Sequence, residues 1–444
     1  MTLQRLDAQG VARRAAAEIA PGSVVAVGGG WSAVIADLVP EDKGVWFLRA
    51  GGTLSDLPIN AADAGALLRG GNVDLSILTA AQVDSSGSFA SYHAADYPGP
   101  QGHAGLIDLA SGARRVVVIL PQTGDDGSHN IVDTLSLPAD GIRCVDTIIT
   151  DVAVFRVADT GLTLTEVAPG WTAEDIRAIT GTPVTVDPAI RDMDFTPQPG
   201  KPPSKVYADG PSAIADLPDG ATVFIDGFGG PGGMAHYLLV SLRDRGSRNL
   251  TIVSNTAGIA RVVSFGTPPG HTAIDHSVLV ENGQVAKAIA SFPVSPSPTR
   301  PSEFELAYRR GEVDLELVPQ GTLAERLRAG GAGIEAFYTP TGAGTLIAEG
   351  KESRVIDGRE YILEHALRAD FALIRAHKAD TRGNLVYRGT SRNFNAVMAP
   401  AAQVTVVEVD EIVQPGELDP EAVVTPGVFV QRIVRRPDGF TGYE

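Results

Sequence analysis

Two glycine-rich turns mark where this chain could do chemistry. Gly28-Gly29-Gly30 ends the run SVVAVGGG, and Gly227-Phe228-Gly229-Gly230 lies in ATVFIDGFGGPGG; each separates a β-branched apolar run from a segment of helical pattern. Such a junction aims backbone N–H groups and a helix N-terminus at one point, which favours an oxyanion or a phosphate. A tight connection is the plainer reading of either turn. Asn255, in VSNTAG just past a strand end, is placed to bind a substrate or to cap the next turn. Among eight histidines, each suited to proton transfer near neutral pH, His93 follows the turn GSFAS and His103 lies in QGHAGLIDL. No closely spaced His/Cys/Asp/Glu cluster has ligand spacing, so no metal is expected. Neither glycine turn supplies GxGxxG in register, which disfavours a nicotinamide cofactor.

The bulk properties narrow the partners. A chain of 444 residues exceeds what one core usually organises, and its 43% hydrophobic and 20% charged residues fit a soluble globular protein of two or three domains. A formal charge of −17 repels nucleic acid and anionic membranes, and no Lys/Arg-rich run offers an exception. A small anionic ligand remains compatible with a local basic site. One cysteine, Cys144, allows no intramolecular disulfide, so a reducing cytoplasm is expected. The start lacks an apolar core, and no stretch approaches the roughly 18 apolar residues of a membrane span, which also points to the cytosol.

The positioning elements are legible as alternating strands and helices. Asp7 caps a helix expected to run to about Ile19. SVVAV, VWFL (45–48), VDLSIL (73–78), RRVVVIL (114–120) and DTIITDVAVF (146–155) read as short buried strands, and WSAVIADLV as a helix. GLTLTEVAPGWTAEDIRAITG reads as strand, turn and helix. This alternation implies a mostly parallel sheet covered on both faces. Residues 189–205, rich in proline, read as a linker. Beyond it the pattern restarts: ATVFIDGFGGPGG mirrors SVVAVGGG, SRNLTIVSNTAG mirrors GVWFLRAGG, and RRGEVDLELVPQG mirrors RGGNVDLSILTAA. Three ordered matches argue for duplication of one α/β unit. Ligands of open α/β sheets bind at the C-terminal ends of the strands, where both glycine turns fall.

The second half closely resembles one of the two component chains, the A component, of 3-oxoacid CoA-transferases, through DGFGGPGG, IVSNTAG, VDLELVPQGTLAERLRAGGAGIEAFYTPTGAGT, IDGREYILE, ADFALIRAHKADTRGNLVYR and SRNFN in residues 219–436. Residues 11–180 more loosely resemble the other, the B component, through RRAA, IADLVP, RGGNVDLSILTAAQV, IDLASGARRVVV and CVDTIITDVAVF. The resemblance implies two related open, mostly parallel-sheet α/β domains of CoA-transferase fold. A B-like domain would span residues 1–188 and an A-like domain residues 206–444, with the active site between them. Paired component chains in the family imply a homodimer of the fused chain, acting on a small acyl-CoA or 3-oxo substrate with no permanently bound cofactor.

In that family a glutamate of a Ser-Glu-Asn-Gly motif attacks the acyl-CoA and carries CoA as a thioester. Laid on the motif through the preceding VW and through Gly52 and Leu54, this chain has Arg49 for the serine, Ala50 for the glutamate and Gly51 for the asparagine. A methyl group forms no thioester. The segment from Gly52 to the RGG of 69–71 is also shorter than in the family. These losses resemble a branch of the fold that works by hydrolysis, including ring-opening of CoA-linked diketones. The expected function is therefore hydrolysis or C–C cleavage of a 3-oxoacyl or 1,3-diketone substrate, with a CoA thioester as one form. The alternatives are CoA transfer through another carboxylate, or ligand binding without turnover.

The resemblance also gives candidate roles. His103 stands where the family has an apolar residue, and His93 lies near the crevice. Asp56 is the carboxylate nearest in sequence to the lost one, and Glu281 sits in VLVENGQV, a spelling similar to the motif. Gly28, Gly29, Gly30, Gly51, Gly52, Gly227, Phe228, Gly229, Gly230 and Asn255 are candidates for oxyanion or substrate binding. Gly331, Ala332 and Gly333 fall along the family's acyl-binding region.

Overall fold

The computed structural model describes residues 4–49, 53–91, 104–227, 233–263 and 267–444. They fall into two compact units, Met1–Pro203 and Ser204–Glu444. The first contains β1 Val24–Val27, β2 Trp46–Arg49, β3 Thr53–Leu54, β4 Leu57–Pro58, β5 Leu75–Thr79, β6 Gln82–Asp84, β7 Phe89–Ala90, β8 Val116–Leu120, β9 Ile131–Val132, β10 Thr147–Thr150, β11 Ala153–Ala158, β12 Gly161–Val167 and β13 Val184–Asp192. Its helices are α1 Ala8–Ala16, α2 Ala61–Arg69, α3 Ala104–Gly112 and α4 Ala173–Ala178.

Among the described residues these strands form one ten-stranded sheet, in the order β13-β12-β11-β10-β8-β5-β1-β2-β3-β4, and a small sheet β7-β6-β9. The central five, β10-β8-β5-β1-β2, run parallel, and antiparallel strands flank them. The unbroken apolar run of β8 follows from burial on both faces. Val117 and Ile119 join the core that includes Val11 of α1, while Val116, Val118 and Leu120 join the core that includes Ala110 of α3.

Several elements differ from the sequence-based expectation. Asp7 does cap α1, accepting from the Gly10 N–H at 2.7 Å, but the α-helix stops at Ala16. WSAVIADLV is a 3₁₀ helix, Gly30–Leu38, whose buried positions Ser32 and Ile35 lie three apart, one turn of that tighter helix. DTIITDVAVF is two antiparallel strands, because the Thr150 hydroxyl accepts the N–H groups of Val152 and Ala153 and turns the chain there. The expected linker begins inside β13, an edge strand held to β12 by backbone pairing, whose exposed polar side chains hid it.

The second unit contains β14 Val206–Tyr207, β15 Thr222–Ile225, β16 Leu250–Thr256, β17 Val285–Phe292, β18 Asp314–Leu317, β19 Ala336–Thr339, β20 Ser353–Ile356, β21 Arg359–His365, β22 Ala369–Arg375, β23 Lys378–Asp380, β24 Leu385–Val386, β25 Ala402–Val409, β26 Glu411–Val413 and β27 Arg432–Arg435. Its helices are α5 Gly210–Ala213, α6 His236–Arg245, α7 Ser277–Glu281, α8 Glu303–Arg309, α9 Gln320–Gly331 and α10 Asn393–Met398. Eight strands pair in parallel throughout, in the order β14-β27-β25-β22-β15-β16-β17-β18. Two further small sheets are β24-β23-β26 and β19-β21-β20.

Strand registers establish an internal repeat. Val25 of β1 pairs with Leu75 and Phe47; Val223 of β15 pairs with Phe371 and Ile252. The Val24 N–H donates to Asp74 and the Thr222 N–H to Asp370, at the same place in each repeat. The counterpart of β5 is thus β22, in ADFALIRAHKAD, and not β18 as the third sequence match suggested. That match arose because α8 and β18 share with α2 and β5 the local pattern of a helix, a glycine turn and a strand entered by Val-Asp-Leu, although no residue of β18 itself is buried. β18 lies at the sheet edge, whereas β5 and β22 lie beside the central strand.

The hairpins after β5 and β22 repeat in the same detail. Asp84 accepts the N–H groups of Ser86 and Ser88, and Asp380 those of Arg382 and Asn384. Gly87 and Gly383 then take φ of +80° and +97°, a left-handed conformation that a side chain would strain.

Candidate functional site

Chain order places Asp226 and Gly227 directly after β15, and Gly233 to Ala235 ahead of α6. Gly227 lies against the end of β16. A Cβ there would sit 2.6 Å from both Ser254 Oγ and Asn255 Oδ1 and 2.7 Å from Thr256 Oγ1, so only glycine fits. These three oxygens are buried and have no hydrogen-bond partner among the described residues. Burying an unpartnered polar atom costs about 1–3 kcal/mol. Three together on one glycine form a polar cradle that suits a ligand with matching donors and acceptors.

The helix N-terminus itself is already filled. The N–H groups of Tyr237 and Leu238 in α6 donate to Glu408 Oε2 at 2.8 and 3.3 Å, and Arg436 Nε donates to Glu408 Oε1 at 2.6 Å. Burial pushes the fully enclosed Glu408 carboxyl up, while Arg436, Arg375 and the backbone donor pull against it. The expectation that this helix start holds a ligand oxyanion is therefore corrected for those two donors. A carboxylate of the chain occupies them, supplied by β25.

Two histidines that sequence reasoning did not single out lie close to this junction. His236 opens α6; its Nδ1 accepts from Arg436 Nη2 at 3.0 Å, since a guanidinium only donates, which puts the ring proton on Nε2. Burial, with Arg436 beside it, lowers the His236 pKa to about 3, so the ring is neutral at physiological pH. His276, ahead of α7, is fully buried beside the end of β15, and burial lowers its pKa as well. Their signal in sequence was weak: each sits in an apolar surround that reads as ordinary core.

In the first unit the glycine turn is latched by hydroxyls. Thr79 Oγ1 and Ser32 Oγ both donate to the Gly29 carbonyl, at 2.8 and 2.9 Å. Gly28 is buried, Gly29 opens to solvent with nothing within 4 Å of a Cβ, and Gly30 has φ +65° against Thr79. The Gly29 carbonyl is thereby committed to the fold. Arg49, at the end of β2, is half exposed and reaches Asp37 only at 3.9 Å. Such an exposed pair is worth at most about 1 kcal/mol, which leaves the guanidinium available.

Several predicted residues are not brought to either turn. Asp56 is exposed in the turn between β3 and β4, beside Ser55, whose N–H donates to the Phe47 carbonyl. The chain has turned back by then, so Asp56 lies level with the middle of β2 rather than beyond its end and is unsuited to replace a carboxylate at Ala50. Glu281 is held bidentately by Arg261, at 2.8 and 3.0 Å, on the surface; this ion pair does not suit a general base. The glycines around Ala332 have a packing role. A Cβ on Gly330 would overlap the Leu367 carbonyl, Gly331 abuts Pro400, and Gly333 takes φ +68° past the end of α9. Gly227 and Asn255, by contrast, are brought together. Ala50, Gly51, Gly52, His93, His103, Phe228, Gly229 and Gly230 lie outside the described residues.

Among the described residues no group of three or more His, Cys, Asp or Glu could hold a metal, and no helix is long and apolar enough to cross a membrane. A family model described as Coenzyme A transferase matches residues 53–178 and 210–436. The chain is 48% identical over 234 residues to the A component of 3-oxoadipate CoA-transferase from Pseudomonas putida, covering 52% of this chain and 93% of that one. It is 47% identical over 232 residues to the A component of succinyl-CoA:3-ketoacid coenzyme A transferase from Helicobacter pylori strain J99, covering 52% and 92%. Among solved structures, an acyl-CoA transferase of Escherichia coli O157:H7 in a thioester complex with CoA aligns at TM-score 0.45 and 24% identity, over 54% of this chain and 50% of that one. With both halves matched by one family model, this chain belongs to the Coenzyme A transferase family.

Proposed function

We propose that this chain is a hydrolase or C–C bond-cleaving enzyme of the CoA-transferase family, acting on a 3-oxoacyl or 1,3-diketone substrate. The observation that carries this reading is the cradle at Gly227, where Ser254 and Thr256 offer hydroxyl donors and Asn255 an acceptor. Two hydroxyls suit an oxygen that gains charge, and the amide oxygen suits the water that attacks. Water adds to one carbonyl and the bond to the intervening carbon breaks. Its electron pair leaves as an enolate on the second carbonyl, and the proton from water ends on that carbon. With a thioester, the pair leaves on sulfur instead. Neither route needs a glutamate at position 50, where the sequence has alanine.

The reading extends to a B-like part that runs through β13 and an A-like part of residues 206–444, working as a cytoplasmic homodimer. A second reading, acyl-CoA:3-oxoacid CoA transfer through another carboxylate, is favoured by the 48% identity to a component chain of a transferase. Incubation with acetoacetyl-CoA and with a cyclic 1,3-diketone, each with and without succinate, separates the two. Free CoA or a ring-opened acid formed equally without succinate supports the first; succinyl-CoA supports the second. Ala50→Glu is expected to add CoA transfer to a parent that lacks it. If succinyl-CoA already forms with the parent, the first reading is wrong.

A further inference from the structure

We propose that Asn395 is a positioning residue that clamps the chain on both sides of the glycine segment between β15 and α6; its bearing on turnover rests on the cradle reading above. Asn395, in the motif SRNFN, is fully buried at the third position of α10. Its Nδ2 lies 2.8 Å from Asp226 Oδ2 and 2.8 Å from the Gly233 carbonyl, and 2.7 Å from the Ser391 carbonyl of the turn before it. An amide carries two N–H protons, so these three acceptors share them and hold the side chain in one orientation. Its Oδ1 accepts the Arg375 N–H at the end of β22 at 2.9 Å. One side chain therefore joins the residue before Gly227, a residue ahead of α6, and the end of the neighbouring central strand.

The repeat supplies an internal control that separates positioning from packing. Residues 104–112 and 393–401 are equally spaced from the matched strand positions Val116 and Thr405, which places Leu106 where the second unit has Asn395. The same register places Gly28 opposite Asp226. The fold thus forms with a leucine and a glycine at these places, and the Asp226–Asn395 pair is an addition of the unit that carries the cradle. Asp226 immediately precedes Gly227, so fixing its carboxylate fixes the backbone that Ser254, Asn255 and Thr256 surround.

The test uses the full chain and three forms: the parent, Asn395→Asp, and the double variant Asp226→Gly with Asn395→Leu, which copies the first unit. Asn395→Asp replaces the donor by a second carboxylate facing Asp226. If it fails to fold, the double variant, built from residues the fold already accepts, still decides. Hydrogen exchange is followed in peptides covering 226–236 and, separately, in β15, β16 and β22, and turnover is measured with acetoacetyl-CoA. The expected result is at least tenfold faster exchange in 226–236, with the strands within threefold of the parent. The expected fall in kcat is at least 30-fold, with KM changed less than threefold. Unchanged exchange in 226–236, or a rise spread evenly over the strands, overturns the clamp. If exchange rises locally while the parent itself shows no turnover of acetoacetyl-CoA, the clamp stands and the cradle reading fails.

Discussion

The two units fold on one plan and differ where chemistry would be done. Matched registers put Gly28 opposite Asp226, Arg49 opposite Ser254, Thr79 opposite Arg375, and Ile119 opposite Glu408. One residue further along the sequence, Ala50 corresponds to Asn255. In the second unit these positions build a buried polar system on the ends of four parallel strands. In the first they are mostly small or apolar, and a pair of hydroxyls on the Gly29 carbonyl suffices to hold the turn. The structural aspartates Asp74 and Asp370, and Asp84 and Asp380, persist in both. What differs is therefore not the scaffold but the polar residues beside each glycine turn.

The contrast can be broken most severely at the glycines. Gly227→Ala would drive a methyl into three oxygens at 2.6–2.7 Å, and turnover of acetoacetyl-CoA should fall at least about 100-fold, from displacement of a reacting geometry. Gly29→Ala, with open space around it, should stay within about twofold of the parent by the same assay. Equal losses at the two positions would mean that both turns serve the reaction alike.

Next in size is the buried carboxylate. Glu408→Gln leaves the Arg436 charge without its partner and should cost about 3 kcal/mol in urea unfolding of the second unit. The matched change in the first unit, Ile119→Val, should cost about 1 kcal/mol, the ordinary result of removing one buried methylene.

A pH series sharpens the comparison further. The His236 pKa is lowered in the fold, to about 3 from an ordinary 6.5, so the unfolded chain binds the proton more readily. Its contribution to stability is complete above about pH 6.5 and is lost as pH falls below that value. His236→Gln, which can still accept from Arg436, should remove this slope from unfolding measured between pH 7 and 5. The first unit's cluster behaves differently. Burial pushes the carboxyls of Glu18 and Glu166 up, but the surrounding arginines outweigh it, Arg156, Arg115 and Arg14 on Glu18 and Arg14 and Arg191 on Glu166, and hold both below the usual range. Stability from these groups is present above the ordinary carboxylate value near 4.5 and is lost only as pH falls through and below it. Exchange in α1 should therefore stay slow at pH 5.

The smallest expected difference lies in the repeated hairpins. Asp84→Ala and Asp380→Ala each remove an acceptor from two backbone N–H groups, and each should cost about 1–2 kcal/mol. Calorimetry that finds one costly and the other neutral would show that the repeat has diverged in its scaffold as well.

Much of this is legible in the chain. Strand β8 announces itself as VVVIL, Asp7 announces the cap of α1, and Gly227 and Asn255 both stand out by residue type and place without any sign that they touch. The failures share a cause. Asp56 and Glu281 stand out by their distance along the sequence or their spelling, and a turn and an arginine decide otherwise. The glycines from 330 to 333 read as room for a ligand because sequence reports the missing side chain and not what fills its place. β13 is hidden because an edge strand is held by backbone pairing, which its exposed side chains do not advertise.

The sequence by itself determined most of the elements and the family, because apolar periodicity, turn residues and long motif matches are local and additive along the chain. It also determined that position 50 carries no carboxylate. Only the tertiary structure decided that β22, 56 residues beyond the apparent match, is the partner of β5 in the repeat, since strand neighbours are chosen by pairing across the sheet. Only the structure brought Asp226, Asn395 and Glu408 to one end of the second sheet. Residues 169 and 171 apart in the chain meet there because parallel strands bring their C-terminal ends to the same edge.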